Sequence, residues 1–128
     1  MINWQSVAAV FAGGGAGSVL RLLITFAVTQ RYGPGFPWPT MLINITGSFA
    51  IGVLAELALT RANAGTPLVR LFFMTGVLGG YTTFSTFSFD ALQLIGGRAV
   101  LLAVAYIAGS VILGVIAAFG GVALARSI

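Results

Sequence analysis

Thr40, Asn44 and Ser48 recur every four residues in a stretch that is otherwise apolar, and Tyr106, Ser110 and Gly114 repeat that spacing near the far end of the chain. Residues four apart share one face of a helix, so each set forms a slowly drifting polar stripe. Asn44 is the costliest of these to bury, because an amide in an apolar medium needs several hydrogen-bond partners. A single serine or threonine on such a face is ordinarily an interhelical hydrogen bond. Taken together, the stripes read as a polar track. Phe84 and Phe87 stand three apart and share a face, with Ser88 between them in projection. Phenylalanine pairs in membrane helices ordinarily pack against lipid or core. Here hydroxyls flank the pair on both sides, and the positive edge of an aromatic ring can meet an anion without a competing cation.

The elements that must position these residues announce themselves in the run Gly76-Val77-Leu78-Gly79-Gly80-Tyr81-Thr82-Thr83-Phe84-Ser85-Thr86-Phe87-Ser88. Glycines and small hydroxyls interrupt an apolar span there. A segment crossing lipid cannot leave backbone groups unpaired, so a break must face protein, water or an ion. The chain is 59% hydrophobic and only 6% charged. Soluble domains carry roughly 25% charged residues, so this chain has too little polar surface to coat a water-soluble globule. The expected architecture is therefore an all-α integral membrane protein. Residues 1–128 form one domain with spans near 7–28, 40–59, 68–95 and 99–125, the third broken near 79–83. The segment from Met1 to Phe11 has no basic n-region, and no cleavable signal is expected. Trp4, Tyr32, Phe36 and Trp38 fall at span edges, where aromatic belts sit.

Six arginines and two carboxylates give a formal charge of +4, but the arginines lie singly at span ends. They read as headgroup and topology anchors and not as a nucleic-acid surface. Arg61, Arg70 and Arg126 fall on one side of a four-span topology and Arg31, Arg98 and Arg21 on the other. That balance gives the positive-inside rule nothing to act on, so insertion in both orientations and insertion in one stay open on charge alone. Four short helices enclose little volume, which favours a dimer. The pairs Gly13/Gly17, Gly76/Gly80, Ser48/Gly52 and Ser110/Gly114 supply small-residue faces for close packing, either within a subunit or between subunits.

Ionisable groups within or near the spans are Arg21, Glu56 and Asp90. Each is a functional candidate by default, and each sits close enough to a span end to snorkel. Arg21 could draw anions into a vestibule, and Glu56 could couple protons. The chain has neither cysteine nor histidine, and its two carboxylates stand 34 positions apart, so no acid–base or nucleophilic constellation is present and no enzyme is expected.

With these residues in view, the sequence resembles the Fluc, or CrcB, family of fluoride channels along nearly its whole length. Gly79 to Ser88 resembles that family's third-span signature. The first-span glycines followed by Arg21 are similar to its early arginine motif. Asn44, Gly47, Ser48, Phe49 and Gly52 are similar to its second span, and Tyr106 with Ser110 to its fourth. Asp90 stands where glutamate is usual, and Gly114 where some members have serine.

The resemblance implies an antiparallel, dual-topology homodimer of four-helix subunits with two pores, in the bacterial cytoplasmic (inner) membrane. It implies fluoride as the permeant ion, met by the rings of Phe84 and Phe87 and by hydrogen bonds from Asn44, Tyr106 and Ser110, with Thr40 and Ser88 on the same path and Arg21 at a vestibule. It also implies a structural sodium ion held by the backbone carbonyls of Gly79 and Thr82 from both subunits, and no organic cofactor. The expected function is passive, fluoride-selective export. Two other readings remain. A small proton-coupled multidrug exporter shares the size and spans, but it requires an early membrane carboxylate where the first span has only Arg21, leaving Glu56 to serve. A non-transporting membrane assembly subunit would turn its polar stripes toward another protein.

Overall fold

Caps and prolines set where the helices begin. In the computed structural model, which describes residues 3–60 and 66–128, Asn3 accepts a hydrogen bond from the Gln5 backbone N–H and opens helix α1, Trp4–Tyr32. Gly33 ends it at φ 74°, a left-handed conformation that glycine adopts without steric cost. After a short proline-rich turn, α2 runs Trp38–Thr60. Thr66 caps the third helix with Pro67 in its first turn, and this helix, α3, covers residues 67–81. It begins in α register over Pro67–Arg70, widens to π register over Leu71–Leu78 and closes with Gly79–Tyr81. Thr82 and Thr83 are extended, and α4 resumes over Phe84–Gly96. A tight turn through Gly97 and Arg98 leads to α5, Val100–Ser127. The protein is all-helical among its described residues. Among the described residues, three helices, α1, α2 and α5, are each long and apolar enough to cross a membrane, and α3 and α4 follow one another across a two-residue break.

Packing follows two glycine-lined seams. In the first, Gly13 lies against Phe72, Gly76 and Val77, and Gly17 lies against Val77 and Tyr81, so α1 and α3 run parallel. A Cβ on Gly17 or Gly80 would collide with backbone of the opposing helix, which is the reason those positions carry none. In the second seam, Met41 meets Gly109, Ser48 meets Gly114 and Gly52 meets Ala118, so α2 and α5 are parallel as well. Near its end, Glu56 is 7% exposed and receives a bidentate pair from Arg126, Nε–Oε1 2.9 Å and Nη2–Oε2 3.3 Å. All four small-residue pairs thus find neighbours inside one protomer. The topology sets Arg70 and Arg126 toward one end of the molecule and Arg31 and Arg98 toward the other. Arg61, which completes the charge balance, lies outside the described residues.

Large apolar side chains on α1 and α5 face outward, among them Phe11, Leu22, Phe26, Leu101, Ile112 and Phe119. In water this surface would be a liability, and against lipid it is the expected exterior. The buried set is small: Met41, Ala91 and Tyr106 form a cluster, with Phe36, Ile45, Phe87 and Leu94 packed on it. That cluster sits beside the break between α3 and α4.

Candidate functional site at the helix break

The break is held open by Asn44. In a continuous helix the Thr83 N–H would bond to the Gly79 carbonyl. Here it donates to Asn44 Oδ1 at 2.9 Å, while Asn44 Nδ2 donates to the Thr83 carbonyl at 3.0 Å. One amide side chain therefore satisfies both backbone groups of the residue in the gap, which is how the cost of burying them is avoided. Among the described residues the second Asn44 amide hydrogen has no acceptor. The Thr82 N–H and hydroxyl both return to the Leu78 carbonyl, at 3.0 and 2.9 Å. Thr83 Oγ1 accepts from the Thr86 N–H at 3.2 Å and caps α4. Because Thr86 is diverted to that cap, the Thr82 carbonyl loses its helical donor, as Gly79 loses its own to Asn44.

Two helix ends therefore meet at one place. The C-terminal end of α3 presents carbonyls, which favour a cation, and the N-terminal end of α4 presents N–H groups, which favour an anion. Among the described residues no three of His, Cys, Asp or Glu come together, and the groups at the break that could hold a metal ion are its carbonyl and hydroxyl oxygens.

A cleft of about 410 Å³ opens beside the break. Asn44, Gly47 and Ser48 of α2, Gly79, Thr82 and Thr83 at the break, Phe84 and Phe87 of α4 and Ser110 of α5 line it. The Phe84 and Phe87 rings lie 5.6 Å apart at 39°, and Phe84 is 79% exposed. Ser110 is 7% exposed, and its hydroxyl has no hydrogen-bond partner among the described residues. A buried hydroxyl without a partner is costly, and this one borders the cleft.

Phe87 continues the ring series to Tyr106 at 5.3 Å, and Tyr106 meets Phe36 edge-on at 5.6 Å. Tyr106 is fully buried and donates its hydroxyl to Asp90 Oδ2 at 3.2 Å. Beyond it lies a second pocket of about 390 Å³, lined in part by Thr25, Thr29, Thr40, Thr86, Asp90 and Gln93. Thr40 and Asp90 thus border the second pocket and Ser110 the first, with Tyr106 between the two. Ser88 stands outside both, its hydroxyl given to the Phe84 carbonyl at 3.0 Å. Arg21 is half-buried on α1 and has no carboxylate partner among the described residues. Glu56 is remote from the cleft and committed to Arg126.

Sequence reasoning missed a second tie at the break. The Tyr81 hydroxyl lies 2.8 Å from Thr46 Oγ1. Thr46 falls two residues from Asn44, off the four-residue stripe, and periodicity gave no reason to single it out.

Fold and site together define a class: a small multi-pass membrane protein built around a helix that is interrupted midway. The family model for CrcB-like protein, Camphor Resistance (CrcB), matches residues 8–122, and the chain belongs to that family. It is 51% identical to the fluoride-specific ion channel FluC of Rhizobium meliloti (strain 1021), across 92% of this chain and 94% of that protein. It is 47% identical to the FluC of Agrobacterium fabrum, across 100% and 99% of the two chains, and 46% identical to FluC 1 of Nitrobacter hamburgensis, across 98% of each.

Proposed function

We propose that this protein is a fluoride-selective channel that lets fluoride leave the bacterial cytoplasm passively across the inner membrane. The observation that carries this reading is the cleft itself, where Phe84 and Phe87 stand beside the unpartnered Ser110 hydroxyl, the spare Asn44 amide hydrogen and the N-terminal end of α4. Fluoride is small and strongly hydrated. A pore must replace its water with donors that bind weakly enough to let go. Amide hydrogens, hydroxyls and ring edges meet that need, and among the described residues no arginine lines the cleft to trap the ion. Relatives of nearly the same length are named for the same ion.

In this reading the ion passes Phe84, Phe87, Asn44 and Ser110, and Tyr106 and Thr40 connect that stretch to the second pocket. Ser88 lies one turn along α4, and Arg21 raises the positive potential at the approach. The working form is an antiparallel homodimer inserted in both orientations, with two pores. The exposure of Phe84 supports this, because a ring-lined path with one open side needs a second wall. The carbonyls of Gly79 and Thr82, freed as described, suit a structural sodium ion shared between the two copies. Such an ion would neutralise carbonyl dipoles that otherwise face each other unpaired.

The proton-coupled alternative would depend on Glu56, and the bidentate hold of Arg126 on that carboxylate argues against it. The deciding experiment is fluoride efflux from liposomes containing the purified protein, with chloride efflux measured alongside. Rapid fluoride release without chloride release is expected. Folded protein that releases no fluoride would remove the reading.

A further inference from the structure

We propose that Tyr81 is a positioning residue that acts through Thr46 to fix the orientation of the helix break, and with it the seat of Phe84. Tyr81 is the last residue of α3 and is 7% exposed. Its backbone nitrogen lies against Gly17 of α1, and its ring lies against Gly47 of α2. The side chain is therefore wedged between the two parallel helix pairs.

The polarity of its hydrogen bond follows from the partners. Thr46 has one hydroxyl hydrogen and two backbone carbonyls of its own helix within reach, Leu42 at 2.8 Å and Ile43 at 3.2 Å. Threonine in a helix ordinarily donates back in this way. The Tyr81 hydroxyl, with Thr46 Oγ1 as its partner at 2.8 Å, is then the donor between them. A buried phenol deprived of that acceptor would keep an unpaired O–H.

The two ties from α2 to the break differ in what they constrain. Asn44 holds Thr83 by its backbone, and Thr46 holds Tyr81 by its side chain. Ser18 of α1 donates to the Gly80 carbonyl at a long 3.5 Å and holds α3 to α1, but between α2 and the break the Asn44 tie alone is a pivot about which the ends of α3 and α4 could turn. A second tie, two residues away on both segments, removes that rotation. The direction of the Gly79 and Thr82 carbonyls and the side of the cleft on which Phe84 emerges are set by the pair of ties together. The inference rests on the channel reading only for its consequence in transport.

The test uses the full chain with Tyr81→Phe, Thr46→Val and the double variant, and Thr46→Ser as the conservative replacement. Amide hydrogen exchange and fluoride efflux per folded protein are measured on each. Exchange across residues 82–85 should rise roughly fivefold in Tyr81→Phe and in Thr46→Val, the shift expected for one lost hydrogen bond. The double variant should exchange no faster than either single variant, Thr46→Ser should match the parent, and the α2–α5 seam should be unchanged. Efflux should fall in the same variants that exchange faster. Unchanged exchange at the break in both single variants would overturn the tie. Faster exchange with parental efflux would overturn the positioning role and leave Tyr81 a purely structural residue. Faster exchange in a protein whose parent releases no fluoride would uphold the tie and remove the channel reading instead. Should Tyr81→Phe fail to fold, the Thr46→Val and Thr46→Ser pair carries the same comparison.

Discussion

Ser110 separates function from stability more sharply than any other residue in the cleft. Its hydroxyl is buried without a partner among the described residues, so removing it relieves a desolvation cost and breaks no bond between them. Ser110→Ala should leave thermal stability within about 0.5 kcal/mol of the parent or above it, and should still slow fluoride efflux, because the donor is lost. A drop in the unfolding midpoint with unaltered efflux would contradict the assignment. The rings give a second comparison. Phe84→Ile and Phe87→Ile keep an apolar side chain and remove the positive edge, so fluoride efflux should fall to the rate of protein-free liposomes while the oligomeric state is kept. Asn44 combines both roles. Asn44→Leu orphans the Thr83 N–H and carbonyl at once, at about 1–3 kcal/mol for each unsatisfied group, and should depress both stability and transport.

At the scale of elements, stability rests on the two glycine seams. Gly17→Ala puts a methyl group into the backbone of α3 at Val77, and overpacking of that kind costs roughly 1–3 kcal/mol or more. Gly15→Ala, two residues away and facing open space, should be neutral or stabilising by up to about 1 kcal/mol through helix propensity. Thermal unfolding of the two variants in detergent tests the pair directly. The contrast also marks what was legible in the sequence. The helices follow from apolar runs punctuated by Gly33-Pro34 and Pro67, because a span in lipid must satisfy its own backbone. The small-residue pairs were visible too, but a one-dimensional spacing cannot say which helix faces which, and at least one member of each pair lies against another helix of the protomer. The break illustrates the same limit. Glycines and hydroxyls from Gly79 to Thr83 pointed to it, yet helix persists through Tyr81, and the extended residues are Thr82 and Thr83. What stops the helix there is Asn44, 39 positions away, which takes the Thr83 N–H. The Thr46–Tyr81 bond is equally non-local and lies off the helical period.

At the scale of the whole molecule, Glu56 and Gly79 give tests of the proposed transport mechanism and of the proposed assembly. Glu56 and Arg126 tie the ends of the α2–α5 pair together, and the carboxylate is already compensated. Glu56→Gln should therefore leave fluoride efflux within about twofold of the parent, since less than about 0.4 kcal/mol in the barrier separates the two. Efflux should also stay independent of any imposed proton gradient. Abolition of transport by that single change would reinstate proton coupling. Gly79 gives the opposite kind of prediction. A Cβ added there meets no atom of the described residues within 4 Å, and the residue is helical, so nothing among them requires glycine. For the protomer alone, Gly79→Ala or Gly79→Leu should raise helix stability by about 0.5–1 kcal/mol. If the break is where two copies meet, the same position becomes crowded only on assembly, and a leucine side chain would wedge the copies apart beside the freed carbonyls. Gly79→Leu should then yield folded, helical protein that migrates as a monomer in size-exclusion chromatography and releases no fluoride, whereas Gly79→Ala should weaken the dimer less. A Gly79→Leu protein that remains dimeric and conducts would place the interface elsewhere on the molecule and detach the role of the break from assembly.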